Sequence, residues 1–205
     1  MDSNISKEAI GELPLCQFEG VITVVEDPDV VQEIVDKLSE AKVLGFDTET
    51  KPAFKKGTSN QISLLQLSTD QEAYLFRLNK LGFCAPLIQL FENPKVYKVG
   101  VGIRDDLRGL NQLAPFKPGG FIELQDMVKG FGIDVFSLKA LAGLVLNVRV
   151  SKRQRLTNWE TDVLTPGQID YAAIDAWIGL RIYQELMLLQ PDFKVKSVIY
   201  RNQIS

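Results

Sequence analysis

The chain has 205 residues, of which 45% are hydrophobic and 24% charged, with a formal net charge of −3. This length suits one domain with a substantial core, and the composition argues against a largely disordered chain. The sequence contains no histidine, which excludes histidine bases and histidine-bound zinc sites. Cys16 and Cys84 are too few for a disulfide framework, so we expect reduced thiols in a cytoplasmic protein.

The acidic net charge gives no global basic field, so binding to nucleic acid would need local basic patches or bound metal ions. No apolar run approaches the roughly 20 residues of a membrane helix, and no secretory signal is visible, so no membrane partner is expected. An enzyme of this composition must rely on carboxylates, tyrosine, lysine or hydroxyl groups. Carboxylates with hydroxyl partners suit hard cations such as Mg²⁺ or Mn²⁺.

The hydrophobic pattern alternates between strand and helix periods along the chain. Strands are predicted at 18–25, 42–47, 61–68, 72–77, 96–101 and 121–124, with a hairpin between the third and fourth. Helices are predicted at 28–38, 81–91, 103–113, 138–146 and 166–189; Asp27 caps the first, and a Thr165–Gln168 capping box opens the last. This order predicts an α/β fold with a mixed central sheet flanked by helices.

Three segments divide the chain. Residues 1–17 are predicted to form a loosely held N-terminal extension. Residues 18–190 form the folded domain, and residues 191–205 a C-terminal tail. Within this tail, residues 193–200 alternate between apolar and polar types, which suits either an edge strand or a self-association surface.

Two carboxylates end a buried strand. Asp47 and Glu49 lie two residues apart, so in an extended segment their side chains point to one face. Two like charges about 4 Å apart repel by about 4 kcal/mol at an effective dielectric constant near 20, and a divalent cation between them removes that repulsion. The alternative interpretation is a strand-to-loop turn capped by Asp47.

Another candidate carboxylate lies on the helix predicted at 103–113. Helical phase places Asp106 at the border of the apolar stripe and turns Asp105 about 100° away. The phase therefore favours Asp106 as the inward carboxylate. The alternative is an exposed acidic pair beside Arg104 and Arg108.

Asp175 is the single charged residue within positions 171–180, which are otherwise largely apolar. Burial of an unpaired carboxylate costs several kcal/mol, so this group should be paired, protonated or bound to a metal. Tyr171 lies four residues earlier, on the same helical face. The alternative is a buried aspartate paired with a hydroxyl or an arginine.

Together, Asp47-x-Glu49, Asp106 in the setting GVGIRDD, and Tyr171-x-x-x-Asp175 resemble the three motifs of the DEDD superfamily of 3′–5′ exonucleases. The tyrosine four residues before the last aspartate marks the DEDDy branch. Within this branch, the segments GFDTET, QISLLQLST, LTNW and LTPGQIDYAAIDAW resemble the exonuclease domain of the Werner syndrome protein and, more distantly, ribonuclease D. The resemblance covers about residues 20–190.

This resemblance implies a ribonuclease H-like fold and a metal-dependent 3′–5′ exonuclease that acts on a nucleic acid with a free 3′ end. It implies two divalent cations, Mg²⁺ or Mn²⁺, bridged by Asp47. Glu49 and Asp175 would hold one cation, and Asp106 would help to hold the other. Tyr171 would orient and help to deprotonate the attacking water; positioning comes first, since free tyrosine, with a pKa of about 10, is a poor base at neutral pH.

Candidate substrate contacts are Thr48, Lys152 and Arg155. Lys152 and Arg155 belong to a basic cluster, and residues 51–56 (KPAFKK) form a second one; both suit backbone phosphates. The alternative for both segments is an ordinary solvated loop. For the whole chain, the alternative function is a nucleic-acid-binding module of the same fold with little or no catalysis.

Overall fold

The computed structural model describes residues 2–53, 60–151 and 153–198. The strands, in chain order, are β1 (Val21–Val25), β2 (Val43–Thr50), β3 (Ile62–Ser68), β4 (Glu72–Arg77), β5 (Tyr97–Gly100) and β6 (Phe121–Glu123). The helices are α1 (Lys7–Glu12), α2 (Val31–Ser39), α3 (Leu78–Leu81), α4 (Ala85–Glu92), α5 (Ile103–Leu113), α6 (Leu124–Met127), α7 (Leu138–Leu146) and α8 (Pro166–Leu189). Short 3₁₀ turns at Pro28–Val30 and Val128–Phe131 lead into α2 and follow α6.

The strands form one mixed sheet in the order β1-β4-β3-β2-β5-β6. β3 is antiparallel to both of its neighbours, whereas the pairs β1–β4, β2–β5 and β5–β6 are parallel. The predicted hairpin corresponds to β3 and β4. The predicted mixed sheet flanked by helices is therefore confirmed.

Helices cover both faces of the sheet. On one face, apolar side chains of α2, α4 and α5 form a single core cluster with Phe46 of β2 and Leu65 and Leu67 of β3. On the other face, α7 and α8 pack over the sheet. Because side chains alternate along a strand, the residues on either side of Phe46 point toward α8.

The predicted bounds of the helix at 81–91 are wrong. The structure has two helices instead, Leu78–Leu81 and Ala85–Glu92. Gly82 lies between them at φ +67°, a left-handed conformation that glycine adopts at low cost and that ends a helix. Pro86 then stands in the first turn of α4, where its missing N–H costs nothing.

Residues 2–17 are not loosely held. Ile10 of α1 is only 4% exposed. The backbone N–H of Cys16 donates to the carbonyl of Arg149 at 2.9 Å, and the Arg149 guanidinium donates to the carbonyl of Leu13 at 2.8 Å. Buried apolar surface and backbone pairing thus fasten this segment to the domain, which its mixed composition did not indicate.

The C-terminal tail follows the β6 edge of the sheet. Residues 193–198 form no strand, although the N–H of Val198 donates to the carbonyl of Phe121 at 2.7 Å. The ring of Phe193 packs on Phe131 with 4.6 Å between centroids. Residues 199 and 200, which belong to the alternating segment, lie outside the described residues. Self-association of the tail stays a prediction.

Within the described ranges, no helix combines the length and apolarity needed to cross a lipid bilayer.

Candidate active site

The close approach of α8 to β2 depends on Gly45. A Cβ at this position would lie 2.1 Å from the carbonyl oxygen of Ala176 on α8 and 2.4 Å from Oγ of Ser68 on β3. Asp47 and Glu49 follow at alternate positions, so they point to the same face as Gly45. Glycine at position 45 thus lets α8 bring Asp175 against the β2 carboxylates.

We expect Gly45→Ala to lower both stability and any catalytic activity. The new methyl group meets backbone atoms that cannot turn aside, so α8 must shift, at a cost of about 3 kcal/mol. Urea unfolding measures the loss of stability. Gly11→Ala is the control, because a Cβ at Gly11 meets nothing within 4 Å. Equal stability of the two variants would contradict this prediction.

α5 presents Asp106 to β2 and turns Asp105 to solvent. The hydroxyl of Thr48 donates to Oδ1 of Asp106 at 2.5 Å, joining α5 to the strand that carries Asp47. The side chain of Asp105 is 81% exposed and pairs with Arg108. The structure thus gives the two neighbouring aspartates the orientations that helical phase predicts.

The start of α5 is fixed by a buried carboxylate. Glu123, whose side chain is 1% exposed, accepts hydrogen bonds from the backbone N–H groups of Gly102 and Ile103, both at 2.9 Å. A carboxylate at a helix N-terminus satisfies unpaired donors and complements the helix dipole. This contact sets where α5 begins and hence where Asp106 lies.

α8 supplies Asp175 and Tyr171. Asp175 is 8% exposed, and the Tyr171 hydroxyl near its carboxylate lowers the pKa of that group. The predicted capping box at Thr165 and Gln168 is present and starts this helix. Trp159, fully buried, packs beside the Tyr171 ring with 6.0 Å between centroids. Trp159, the last residue of the LTNW segment, therefore supports the ring of Tyr171.

The carboxylates border two neighbouring cavities. Asp47, Asp175 and Tyr171 line a cavity of about 330 Å³ together with Arg155 and Lys139. Glu49 and Asp106 line a second cavity of about 450 Å³ together with Thr48 and Asn60. Because Asp47, Thr48 and Glu49 are consecutive, the two cavities meet along β2.

Burial and mutual repulsion raise the pKa values of the β2 carboxylates. Burial raises the pKa of Asp47 well above its ordinary range, and the carboxylates of Asp175, Asp106 and Glu49 raise it further. The backbone N–H of Thr48, 2.9 Å from Oδ1 of Asp47, opposes this shift. For Glu49, burial and then Asp175 and Asp106 raise the pKa to about 8, against the opposing charge of Arg155.

The helix-borne groups are shifted in the same direction. Burial raises the pKa of Asp175 to about 7, opposed by the Tyr171 hydrogen bond. Burial raises the pKa of Asp106 to about 6, opposed by the Thr48 hydrogen bond. Burial and then the charge of Asp175 raise the pKa of Tyr171, so its phenol stays protonated at neutral pH. Full ionisation of these groups therefore requires compensating positive charge.

The donor set fits divalent cations of the Mg²⁺ and Mn²⁺ class, since all its ligating atoms are hard oxygens. In the part of the chain that the structure describes, no three acidic or cysteine side chains converge closely enough to form a complete metal cage. Mg²⁺ in phosphate-processing sites takes only one or two carboxylates and completes its shell with waters and substrate phosphates. A partial set of carboxylates therefore agrees with this type of site.

The predicted substrate contacts have different outcomes. Arg155 lines the first cavity beside Asp47 and Asp175. Thr48 lines the second cavity, and its hydroxyl donates to Asp106. Lys152 and residues 54–59, which include most of the second basic cluster, lie outside the described residues. Lys51 of that cluster pairs with Glu160 at 3.2 Å.

Sequence reasoning missed the start of α7 as part of the site. Ser137 caps this helix by accepting from the N–H of Ala140 at 3.2 Å, and both Ser137 and Lys139 line the first cavity. The sequence predicts this helix at 138–146, and the N-cap preference of serine is the signal that could have identified Ser137 as its cap. Only the tertiary fold, however, brings Lys139 beside Asp47 and Arg155.

The comparisons with known proteins agree with this arrangement. The model of a family described as 3′–5′ exonuclease matches residues 22–189. The mouse (Mus musculus) bifunctional 3′–5′ exonuclease/ATP-dependent helicase WRN is 34% identical over 184 residues, which cover 85% of this chain and 13% of that protein. The chain therefore spans a small part of that relative's length.

Solved structures share the fold. The EXO domain of Nibbler from Aedes aegypti superposes with a TM-score of 0.74 at 22% identity, covering 85% of this chain and 94% of that one. RNase D from Escherichia coli gives a TM-score of 0.74 at 21% identity, covering 82% of this chain and 44% of that one. The predicted ribonuclease H-like fold is confirmed. Since its family model matches most of the sequence, the chain belongs to the 3′–5′ exonuclease family.

Proposed function

We propose that this chain hydrolyses phosphodiester bonds from the 3′ end of a nucleic acid with two divalent cations, Mg²⁺ or Mn²⁺. The observation that carries the proposal is that four carboxylates from three elements, Asp47 and Glu49 of β2, Asp106 of α5 and Asp175 of α8, line two neighbouring cavities. Ionised together without cations, these buried groups would repel one another and a phosphate backbone, so they need cations to bind substrate.

The four carboxylates would hold the cations. Asp47 is the central ligand, because the charges of Asp175, Asp106 and Glu49 all act on it. When bound, the cations supply positive charge for the reacting phosphate and the departing 3′ oxygen, and they lower the pKa of water. Hydrolysis forms a bond from water oxygen to phosphorus and breaks the bond from phosphorus to the 3′ oxygen. A nucleoside 5′-monophosphate leaves, and the new 3′ oxygen takes up a proton in place of the one that the attacking water loses, so the reaction consumes one water in all.

Tyr171 acts as a protonated donor. Its side chain lines the same cavity as Asp47 and Asp175, so its hydroxyl would donate to the Asp175 carboxylate or to the attacking water. Because burial and the neighbouring carboxylates hold its pKa high, the phenol orients Asp175 and the attacking water and does not remove a proton.

Two positively charged side chains line the first cavity. Arg155 and Lys139 line it together with Asp47 and Asp175. Guanidinium and ammonium groups attract phosphate oxygens, so these side chains would hold the backbone of the strand being shortened. The substrate would therefore contact the carboxylates through the divalent cations and would contact Arg155 and Lys139 directly.

One assay tests the proposed function. Oligonucleotides of DNA and of RNA, labelled at the 5′ end or at the 3′ end, are incubated with Mg²⁺ or Mn²⁺ and, in parallel, with EDTA. A ladder of 5′-labelled products that appears only with metal supports a 3′–5′ exonuclease. Binding without shortening supports the alternative, a nucleic-acid-binding module. Cleavage of a circular substrate would indicate an endonuclease.

We expect Tyr171→Phe to lower kcat by about 100-fold, because the change removes the hydroxyl that orients Asp175 and water. The ring that packs beside Trp159 is retained, so thermal stability and calorimetric Mn²⁺ binding should change little. Tyr74→Phe, a buried tyrosine on the opposite face of the sheet, is the control. Wild-type kcat in Tyr171→Phe would remove the proposed role.

A further inference from the structure

Strand pairing brings a polar residue of β3 beside Asp47. In the antiparallel register of β2 and β3, Gln66 lies directly opposite Asp47, and Ser68 lies opposite Gly45. Residues directly opposite each other in such a pair project from the same face, with Cβ atoms about 4.5–5.5 Å apart. The side chain of Gln66 therefore emerges next to that of Asp47, under α8.

The side chain of Gln66 is fully buried, with 0% exposure, although burial of a polar amide does not stabilise a hydrophobic core. Within the described ranges, neither Oε1 nor Nε2 of its amide has a hydrogen-bond partner. Buried side-chain amides are nearly always paired, and an unpaired group costs about 1–3 kcal/mol. A leucine of similar size would fill this position without that cost.

Among the strand residues next to Gln66 on its face, Asp47 is the strongest polar partner. Along β3 the adjacent residues on this face are Leu64 and Ser68, and across β4 the opposite residue is Leu75. Asp47, across β2, carries a carboxylate whose Oδ1 accepts from the N–H of Thr48. A carboxylate has about four lone-pair sites, so Asp47 keeps acceptor capacity toward Gln66.

We propose that Gln66 is a positioning residue that hydrogen-bonds the Asp47 carboxylate by way of a bound water and fixes its orientation. The proposal rests on the proposed function, in which Asp47 is the central ligand. Water commonly satisfies buried polar groups with two or more polar partners nearby, and here Gln66 and Asp47 provide them. Partners that orient metal-binding groups typically change metal affinity or activity 10–100-fold when they are lost.

Gln66→Leu tests the proposal, with Ser68→Ala as the matched control. Ser68 lies on the same strand and face, is equally buried and also lacks a partner within the described ranges, but it stands opposite Gly45. We expect Gln66→Leu to lower kcat 10–100-fold at saturating Mn²⁺, to leave KM for the oligonucleotide unchanged, and to weaken Mn²⁺ binding measured by calorimetry about 10-fold. Its stability in urea should stay close to that of the wild type, because leucine fills the buried position without a polar group that needs a partner.

Each outcome decides the proposal. Wild-type kcat and Mn²⁺ affinity in Gln66→Leu would overturn it, and so would an equal loss in Ser68→Ala, which would indicate packing. Gln66→Met, which keeps the length of the side chain without the amide, should reproduce the effect if Gln66→Leu fails to fold. If the wild type does not shorten any oligonucleotide, the proposed function fails. The calorimetric comparison still measures whether Gln66 orients Asp47 for cation binding.

Discussion

Asp47→Asn is expected to reduce 3′–5′ shortening of a labelled oligonucleotide by at least about 10³-fold while the protein stays folded. Asp47 is the group on which the charges of Asp175, Asp106 and Glu49 converge, so its loss weakens the hold on both proposed cations. Asparagine keeps the shape and one acceptor oxygen, so the N–H of Thr48, now 2.9 Å from Oδ1, retains a partner. The loss should therefore appear in kcat and in Mn²⁺ affinity, not in folding.

Asp105→Asn is the matched control for this substitution. The change in charge is identical, but Asp105 is exposed on α5 and pairs with Arg108, away from the cavities. Its activity should stay within about twofold of the wild type, because exposed ion pairs contribute little. Retention of near-wild-type turnover by Asp47→Asn, or an equal loss in Asp105→Asn, would show that the central carboxylate has been misassigned.

The choice between Asp105 and Asp106 shows what a sequence alone can determine. Helical phase is a local property: three apolar residues of α5 define the buried stripe, and Asp106 borders it while Asp105 does not. The same reasoning holds for the capping box at Thr165, whose partners are three residues apart. In these two cases the geometry follows from neighbours along the chain, and the prediction and the structure agree.

Other features depend on partners that are distant in sequence. Lys98 lies within a correctly predicted strand, but nothing in the strand pattern indicates that it is fully buried. Its ammonium group donates to the carbonyls of Leu90, Asn93 and Val96, which the end of α4 and the following turn bring around it. In the same way, the position of Gln66 beside Asp47 follows from the register of two strands, which hydrophobic alternation alone does not set.

The raised pKa values of the site predict that the metal-free protein loses stability as the pH rises from 5 to 8. In the folded protein the pKa values of Asp106, Asp175 and Glu49 are about 6, 7 and 8, against ordinary values of 3.8, 3.8 and 4.5. The folded state therefore binds more protons than the unfolded chain in this window. Stability rises with pH only where the unfolded state binds more protons than the folded state. Between pH 5 and pH 8 the folded state binds more, so the free energy of unfolding must fall as the pH rises.

Thermal unfolding in EDTA measures this loss, and we expect the Tm to drop by more than about 5 °C between pH 5 and pH 8. Glu49→Gln should flatten the dependence, because it removes the carboxyl with the pKa of about 8 and one source of repulsion on Asp47. Asp105→Asn, which changes an exposed charge, should leave the slope as in the wild type. A Tm that stays constant or rises toward pH 8 would contradict the electrostatic description of the site.

Addition of Mg²⁺ or Mn²⁺ should reverse most of that loss, and should do so at pH 8 much more than at pH 5. A cation that binds only the folded state stabilises it by about 2.7 kcal/mol at 100 times its Kd, whereas protons compete for the same carboxylates at low pH. An equal rise in Tm at both pH values would indicate cation binding elsewhere on the protein. The expected pattern means that Asp47, Glu49, Asp106 and Asp175 destabilise the metal-free fold at neutral pH. Neutralising any one of them should therefore stabilise the metal-free protein while weakening its binding of cations, an opposition typical of groups retained for function.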